Sequence, residues 1–309
     1  VFKLWPKGPR RVIDLLRDGK LDELRAMDLA SVRPDAILPP DTPLYAPVDR
    51  PGKIVALGLN SRAHCAENDK PVPTVPILFA KAVTALTGPG KVIRIPAGTS
   101  QVDWEVELAV VIGSECRRVG EAGAMAHVAG YMILNDVTDR DAQKAAGQWF
   151  RGKSADTFCP MGPFLVTAGD VPDPHRLRLR SWRNGELFQD GNSAQLLFKI
   201  PALIAFLSAA ITLEPGDVIA TGTPAGIGAA RRPPVTLQPG DTVELEIEGL
   251  GRQGRHARTI QPPAASRDGR LPGGPNGAGR KAQRRARRRS PQDPARDAVV
   301  KRGGRAARA

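Results

Sequence analysis

Leu213–Ile219 reads LEPGDVI, and 24 residues further on Leu237–Val243 reads LQPGDTV. Each places Pro-Gly at the centre of a type II turn, where proline presets φ and the next position needs the positive φ that glycine adopts freely. In both, the turn launches a strand. Two such turns in succession predict a meandering, β-rich domain of mixed α/β type, not a regular alternation of strand and helix.

Outward from these turns the chain keeps the same character. KIVALGL (Lys53–Leu59), VELAVVIG (Val106–Gly113), GPFLVT (Gly162–Thr167) and DVIATG (Asp217–Gly222) are short apolar runs bounded by Gly and Pro, and read as strands. RNGEL, Arg183–Leu187, carries the Asn-Gly pair of a two-residue hairpin. Ala124–Asp136 (AMAHVAGYMILND) and Leu196–Ala209 are the helical or mixed candidates. Residues 1–50 read as a small N-terminal unit, with a helix over Val12–Met27 and then a Pro-rich connector. GTPAGIG, Gly222–Gly228, lacks both the Walker lysine and the G-x-G-x-x-G spacing, so no nucleotide-binding loop is expected.

The 309 residues carry a net charge of +13, unevenly spread. Residues 262–309 account for +11 of it, leaving +2 for the rest. That Arg-rich tail has no aromatic residue and cannot offset the entropy of ordering, so disorder is expected. It could touch polyanions by counterion release, but the body shows no nucleic-acid recognition motif. No apolar run reaches the roughly 18 residues of a membrane span. Cys65, Cys116 and Cys159 are odd in number and irregularly spaced, which fits reduced thiols in a cytoplasm.

Chemistry is concentrated in DWEVELAVVIG, Asp103–Gly113. With a side-chain period of two, Asp103, Glu105 and Glu107 share one face of a strand and Trp104, Val106 and Leu108 the other. Glutamates about 7 Å apart along a strand can aim at one point, where their repulsion calls for a cation. All-oxygen ligation favours a hard ion such as Mg²⁺ or Mn²⁺. The alternative is a solvated edge strand whose acids face water. A third oxygen is offered by Asp136 at the end of another apolar run, although Asn-Asp there equally suits a turn or cap. His64 and Glu67 in NSRAHCAEND are three apart, so on a helical turn the carboxylate can orient the imidazole as a base; the same spacing is common on exposed helices.

Seven blocks in order, NSRAHCAEND, ILFAKAVTALTGPG, DWEVELAVVIG, GYMILNDVTDRDAQ, GQWFRGKSADTFCPMGP, NGELFQDGNS and LEPGDVIATGTPAGIG, resemble the fumarylacetoacetate hydrolase family over roughly Lys53–Gly251. The resemblance implies a catalytic domain at 53–261 with a β-roll or barrel-like core, usually dimeric. It further implies metal ligation of Mg²⁺ or Mn²⁺ by Glu105, Glu107 and Asp136, with Asp103 in support. His64 and Glu67 match a water-activating pair on a lid segment, Lys153 the active-site lysine, and Arg140, Gln143 and Thr223 substrate contacts. Lys81 matches less firmly as a pocket residue, since a surface or structural ion pair would explain it equally well.

The implied substrate is a small 2-oxo or 2,4-diketo acid, cleaved hydrolytically at a C–C bond through a metal-stabilised enolate. Decarboxylase, isomerase and ureidoglycolate lyase reactions are alternatives on the same site. A reading of a different class is an idle body acting as a polyanion binder through its tail.

Overall fold

The computed structural model describes residues 8–28, 39, 42–145 and 147–260, which belong to one compact unit. The Arg-rich tail, with the disorder and polyanion binding expected of it, lies outside the described residues. Two sheets organise the unit. The first has six strands in the order Val166–Thr167, Val128–Asn135, Val106–Ile112, Val218–Ala220, Ile54–Gly58, Ile77–Lys81. Within it Ile54–Gly58 runs parallel to Val218–Ala220 and every other neighbour is antiparallel. The second has five, in the order Glu186–Asn192, Arg178–Arg183, Thr242–Ile247, Gly251–Thr259, Ile93–Ile95. Both are open-ended, so the fold is β-rich and mixed as expected but has no closed barrel.

The two Pro-Gly-Asp turns open one strand each, Val218–Ala220 in the first sheet and Thr242–Ile247 in the second. Gly216 and Gly240 have φ of 90° and 99°, and Asp217 and Asp241 donate their N–H to Glu214 and Gln238 at 2.9 and 3.0 Å. Each Asp side chain then accepts from the residue three before it, at 2.7 Å in both turns. The Asn-Gly hairpin is formed as well: Asn184 and Gly185 both take positive φ between strands Arg178–Arg183 and Glu186–Asn192.

Ala124–Asp136, read as helical or mixed, is mixed: a 3-10 helix, Met125–His127, runs into strand Val128–Asn135, which is buried along its whole length. With neighbours on both edges and both faces covered, its residues lose the alternation that marks a half-buried strand. Gly130 is required there, because a Cβ would lie 2.1 Å from the Val166 carbonyl oxygen. The Val12–Met27 helix is two helices, Val12–Arg17 and Leu21–Arg25, interrupted where Gly19 takes φ of 64°. Nor do these helices stand apart: Ile13, Leu15 and Leu16 are buried in the same core as the strands.

Buried polar staples tie the second sheet to the acidic segment. The Trp104 indole donates to Ser181 Oγ at 3.2 Å, and Val106 N–H donates to Gln189 Oε1 at 3.0 Å. Gln189 Nε2 reaches on to Thr223 Oγ1 at 2.7 Å. Among the described residues no helix is long and apolar enough to cross a membrane, and all three cysteines are free and buried.

Candidate active site

DWEVE is not one continuous strand. Val102–Asp103 pairs with Thr138–Asp139 in a short ribbon, the chain leaves the ladder at Trp104 and Glu105, and Val106–Ile112 enters the six-stranded sheet. The break is bridged by Asn135, whose Oδ1 accepts from Glu105 N–H at 3.1 Å, while Asp136 N–H donates to the Glu105 carbonyl at 2.9 Å. Register does the rest: Val106 faces Asn135 and Glu107 faces Leu134, so Asp136 arrives beside Glu105. Glu105, Glu107 and Asp136 each offer an oxygen within 4.8 Å of the others, and all three are buried. A solvated edge strand is therefore excluded.

Buried carboxylates so close need positive charge. Lys153, at the end of helix Phe150–Lys153, supplies it at 2.7 Å from Glu105 Oε2 and 2.5 Å from Asp136 Oδ2. Burial alone would raise Glu105, yet Lys153 and Arg140 hold its carboxyl well below the ordinary range. Glu107 goes the other way: burial, with Asp136 and Glu105 beside it, pushes it well above that range. Burial opposes the charge on Lys153, but Asp136 and Glu105 raise it above its ordinary value. A hard divalent cation fits this donor set, which is all carboxylate, buried, and already drawing an ammonium into its midst.

Asp103 stands outside the triad and serves as an acceptor for many donors. Its carboxylate takes Arg140 Nε at 3.1 Å and Nη2 at 2.7 Å, and the N–H groups of Gly228 and Ala229 at 3.0 Å each. Arg140 Nη2 continues to Glu105 Oε1 at 2.5 Å. The Gly-rich stretch dismissed as a nucleotide loop is thus a row of backbone donors. Gly222 N–H holds Glu107 Oε2 at 2.9 Å, Gly226 N–H holds Glu67 Oε2 at 2.7 Å, and Gly228 and Ala229 hold Asp103. Gly226, at φ of 103°, admits no Cβ, which would lie 2.2 Å from the Phe188 carbonyl oxygen. Nothing in the spacing of GTPAGIG announces this role; only the register of the distant acids reveals it.

His64 and Glu67 lie on helix Arg62–Glu67, with His64 Nδ1 2.6 Å from Glu67 Oε1. His64, Glu105, Glu107, Arg140, Gln143, Lys153 and Thr223 all line one cavity of about 360 Å³, walled on its apolar side by Leu57, Phe79, Trp149 and Ile227. The Thr223 hydroxyl is already spent, donating to the Val106 carbonyl at 3.0 Å and accepting from Gln189. Lys81 does not line the cavity. It is buried behind Asp136, donating to Oδ1 at 2.5 Å and to the carbonyls of Val137 and Lys153, so it steadies an acid where a substrate contact was expected.

Comparison with known proteins agrees with this geometry. The model of the fumarylacetoacetate (FAA) hydrolase C-terminal domain matches residues 53–256. The mitochondrial oxaloacetate tautomerase FAHD2B of Bos taurus is 45% identical over 249 residues, covering 80% of this chain and 79% of that protein. Among solved structures, fumarylacetoacetate hydrolase from Exiguobacterium antarcticum superposes with a TM-score of 0.72 at 37% identity, covering 83% and 91% of the two chains. The 2-hydroxyhepta-2,4-diene-1,7-dioate isomerase from Mycobacterium marinum gives a TM-score of 0.62 at 41% identity over 71% and 78%. The buried acids, the His-Glu pair and the relatives lead to one conclusion: the chain belongs to the fumarylacetoacetate hydrolase family.

Proposed function

We propose that this site takes a 2-oxo acid through its enolate, with Mg²⁺ or Mn²⁺ held by Glu105, Glu107 and Asp136. The carrying observation is that Glu105 and Glu107 of this triad and His64 of the His64–Glu67 pair line one cavity. A bound divalent ion would polarise the 2-oxo group and stabilise negative charge as the enolate forms. Arg140, braced by Asp103, and Gln143 receive the substrate carboxylate. His64 holds the proton that moves, its Nδ1 side fixed by Glu67 so that the other ring nitrogen is left for the substrate. Lys153 balances charge on the oxygen side.

Proton transfer alone needs nothing more, so keto–enol tautomerisation or double-bond isomerisation is the first reading. It accords with the tautomerase and isomerase among the relatives. Hydrolysis of a 2,4-diketo acid, favoured by motifs alone, is the second. It uses the same base on water and accords with the Exiguobacterium hydrolase.

The test is a panel of oxaloacetate, an unsaturated 2-hydroxy dioate and an acylpyruvate, assayed with Mn²⁺ and then with chelator. Turnover that vanishes with chelator and returns with metal supports the proposal; metal-independent turnover refutes it. Glu107→Ala should weaken Mn²⁺ binding by more than about a hundredfold, with every activity falling alongside. His64→Ala should slow turnover by about a hundred- to ten-thousand-fold while leaving Mn²⁺ affinity intact. Equal loss of both in His64→Ala contradicts the assignment.

A further inference from the structure

Strand Gly251–Thr259 carries polar groups on its buried face. Side chains alternate along it, so that Gln253, Arg255 and Ala257 are buried while Arg252, Gly254 and His256 are exposed. On the neighbouring strand the residues in register with Gln253 and Arg255 are Leu245 and Val243, both fully buried. An amide and a guanidinium thus stand in a row where the rest of the sheet puts aliphatic side chains. Each is only 2% exposed.

Three other cations are buried among the described residues, and each lies against a carboxylate. Lys81 meets Asp136, Arg140 meets Asp103 and Glu105, and Lys153 meets Glu105 and Asp136, all at 2.5–2.7 Å. Among the described residues Arg255 has no such partner. Its one bond runs from Nη2 to Gln253 Oε1 at 2.7 Å, and both Nε and Nη1 lack an acceptor. Gln253 is in the same condition, with Nε2 unpartnered. What this pair of side chains leaves unmet is therefore all of one kind: donors.

Charge decides what can meet them. A guanidinium keeps its proton at neutral pH, and burial pushes Arg255 down only to about 10. A lone cation out of water is costly unless opposite charge goes with it. A buried water accepts from these donors but brings no charge. An anion does both, and near-complete burial selects a compact one over a phosphate ester or a carboxylate with a chain attached.

We propose that Arg255 and Gln253 hold a compact monovalent anion of the halide class on the inner face of the five-stranded sheet. Neither residue lines the cavity beside the triad, so this site stands apart from the reading under Proposed function. Its effect falls on the fold. Strand Gly251–Thr259 is the last long strand before the three-residue edge Ile93–Ile95, and the anion completes the packing of that flank.

The test uses the full chain and needs no substrate. Chloride replaces gluconate, an anion too large for an enclosed site, at constant ionic strength, and thermal unfolding is followed for the parent and for R255M. The parent midpoint should rise by about 2–4 °C while that of R255M stays in place. Equal shifts in the two, or none in either, overturn the proposal. Parent crystals soaked in bromide should show an anomalous peak within hydrogen-bond reach of the Arg255 guanidinium, and if R255M does not fold, the crystal decides alone. Density there without anomalous signal means a water only and overturns the proposal. A bromide peak with no chloride-dependent difference between parent and R255M means an adventitious ion only and overturns it too.

Discussion

The ion cluster against the six-stranded sheet is buried, whereas two ladder pairs of the five-stranded sheet stand in water. Around the triad, Asp103, Glu105, Glu107 and Asp136 face Lys81, Lys153 and Arg140, and none of these seven residues is more than 7% exposed. On the other sheet the pairs Arg178–Asp190 and Arg252–Glu244 have side chains 36–53% exposed. The same chemical groups do different things in the two places. Water screens the outer pairs, and each is free to break. The inner groups have lost water and depend on one another: with four acids against three bases, burial and its neighbours Asp136 and Glu105 push Glu107 well above the ordinary carboxyl range. A divalent cation at the triad would oppose that push and favour its charged form.

The sharpest way to break the contrast is at Asp103. Asp103→Ala removes the carboxylate from Arg140 and leaves the N–H groups of Trp104, Gly228 and Ala229 without their acceptor. Breaking a buried pair from one side costs about 3–5 kcal/mol, and urea unfolding should show a loss of that size. Asp103→Asn keeps an oxygen for the backbone donors, so it should cost less while still freeing Arg140. A loss under about 1 kcal/mol for the alanine variant would place Asp103 with the outer pairs, where that is the ordinary value, and dissolve the distinction.

Both sheets were legible where the signal is local. KIVALGL, VELAVVIG, GPFLVT and DVIATG all hold strands of the six-stranded sheet, and in the five-stranded sheet the Pro-Gly and Asn-Gly turns dictate their own geometry ahead of a strand, Thr242–Ile247, that alternates buried and half-exposed residues. The shared face of Glu105 and Glu107 was also local, a consequence of strand period. Asp136 was different: the pairing of Val106 with Asn135 brings it in, and no local pattern encodes that register. Burial on both faces hid strand Val128–Asn135, and Gly19 hid the break in the N-terminal helix. Lys81 was given a substrate contact because the motif cannot say which side of Asp136 it approaches.

An intermediate case lies in the outer sheet's own turn. Asp241 is mostly buried and accepts from Gln238 N–H, Asn184 and Arg183 at 2.7 Å each. Burial opposes its charge, but these three donors together hold it below the usual carboxylate value of 3.8. The folded state thus binds this proton less readily than the unfolded chain. Its contribution is complete above that value and drains away as pH falls through the lower folded one. Asp241→Asn should cost about 1–2 kcal/mol at neutral pH, and the gap between variant and parent should narrow in acid. A gap independent of pH would show that the carboxylate charge is not what matters.

The smallest effect belongs to the exposed ladder. Arg252 Nη2 lies 2.7 Å from Glu244 Oε2 across the Thr242–Ile247 and Gly251–Thr259 pair, and its guanidinium also sits 4.6 Å from the Trp182 ring centroid. A double-mutant cycle with Arg252→Ala and Glu244→Ala should return a coupling of about 0.2–1 kcal/mol that fades in high salt. Arg252→Ala alone should cost more than Glu244→Ala, because it also uncovers the indole face. The cycle isolates the ionic part, since loss of the Trp182 contact appears in both Arg252 variants and cancels. A coupling that persists in high salt would mean that the outer pair is shielded from water as the inner ones are, and exposure could no longer explain the difference between the two sheets.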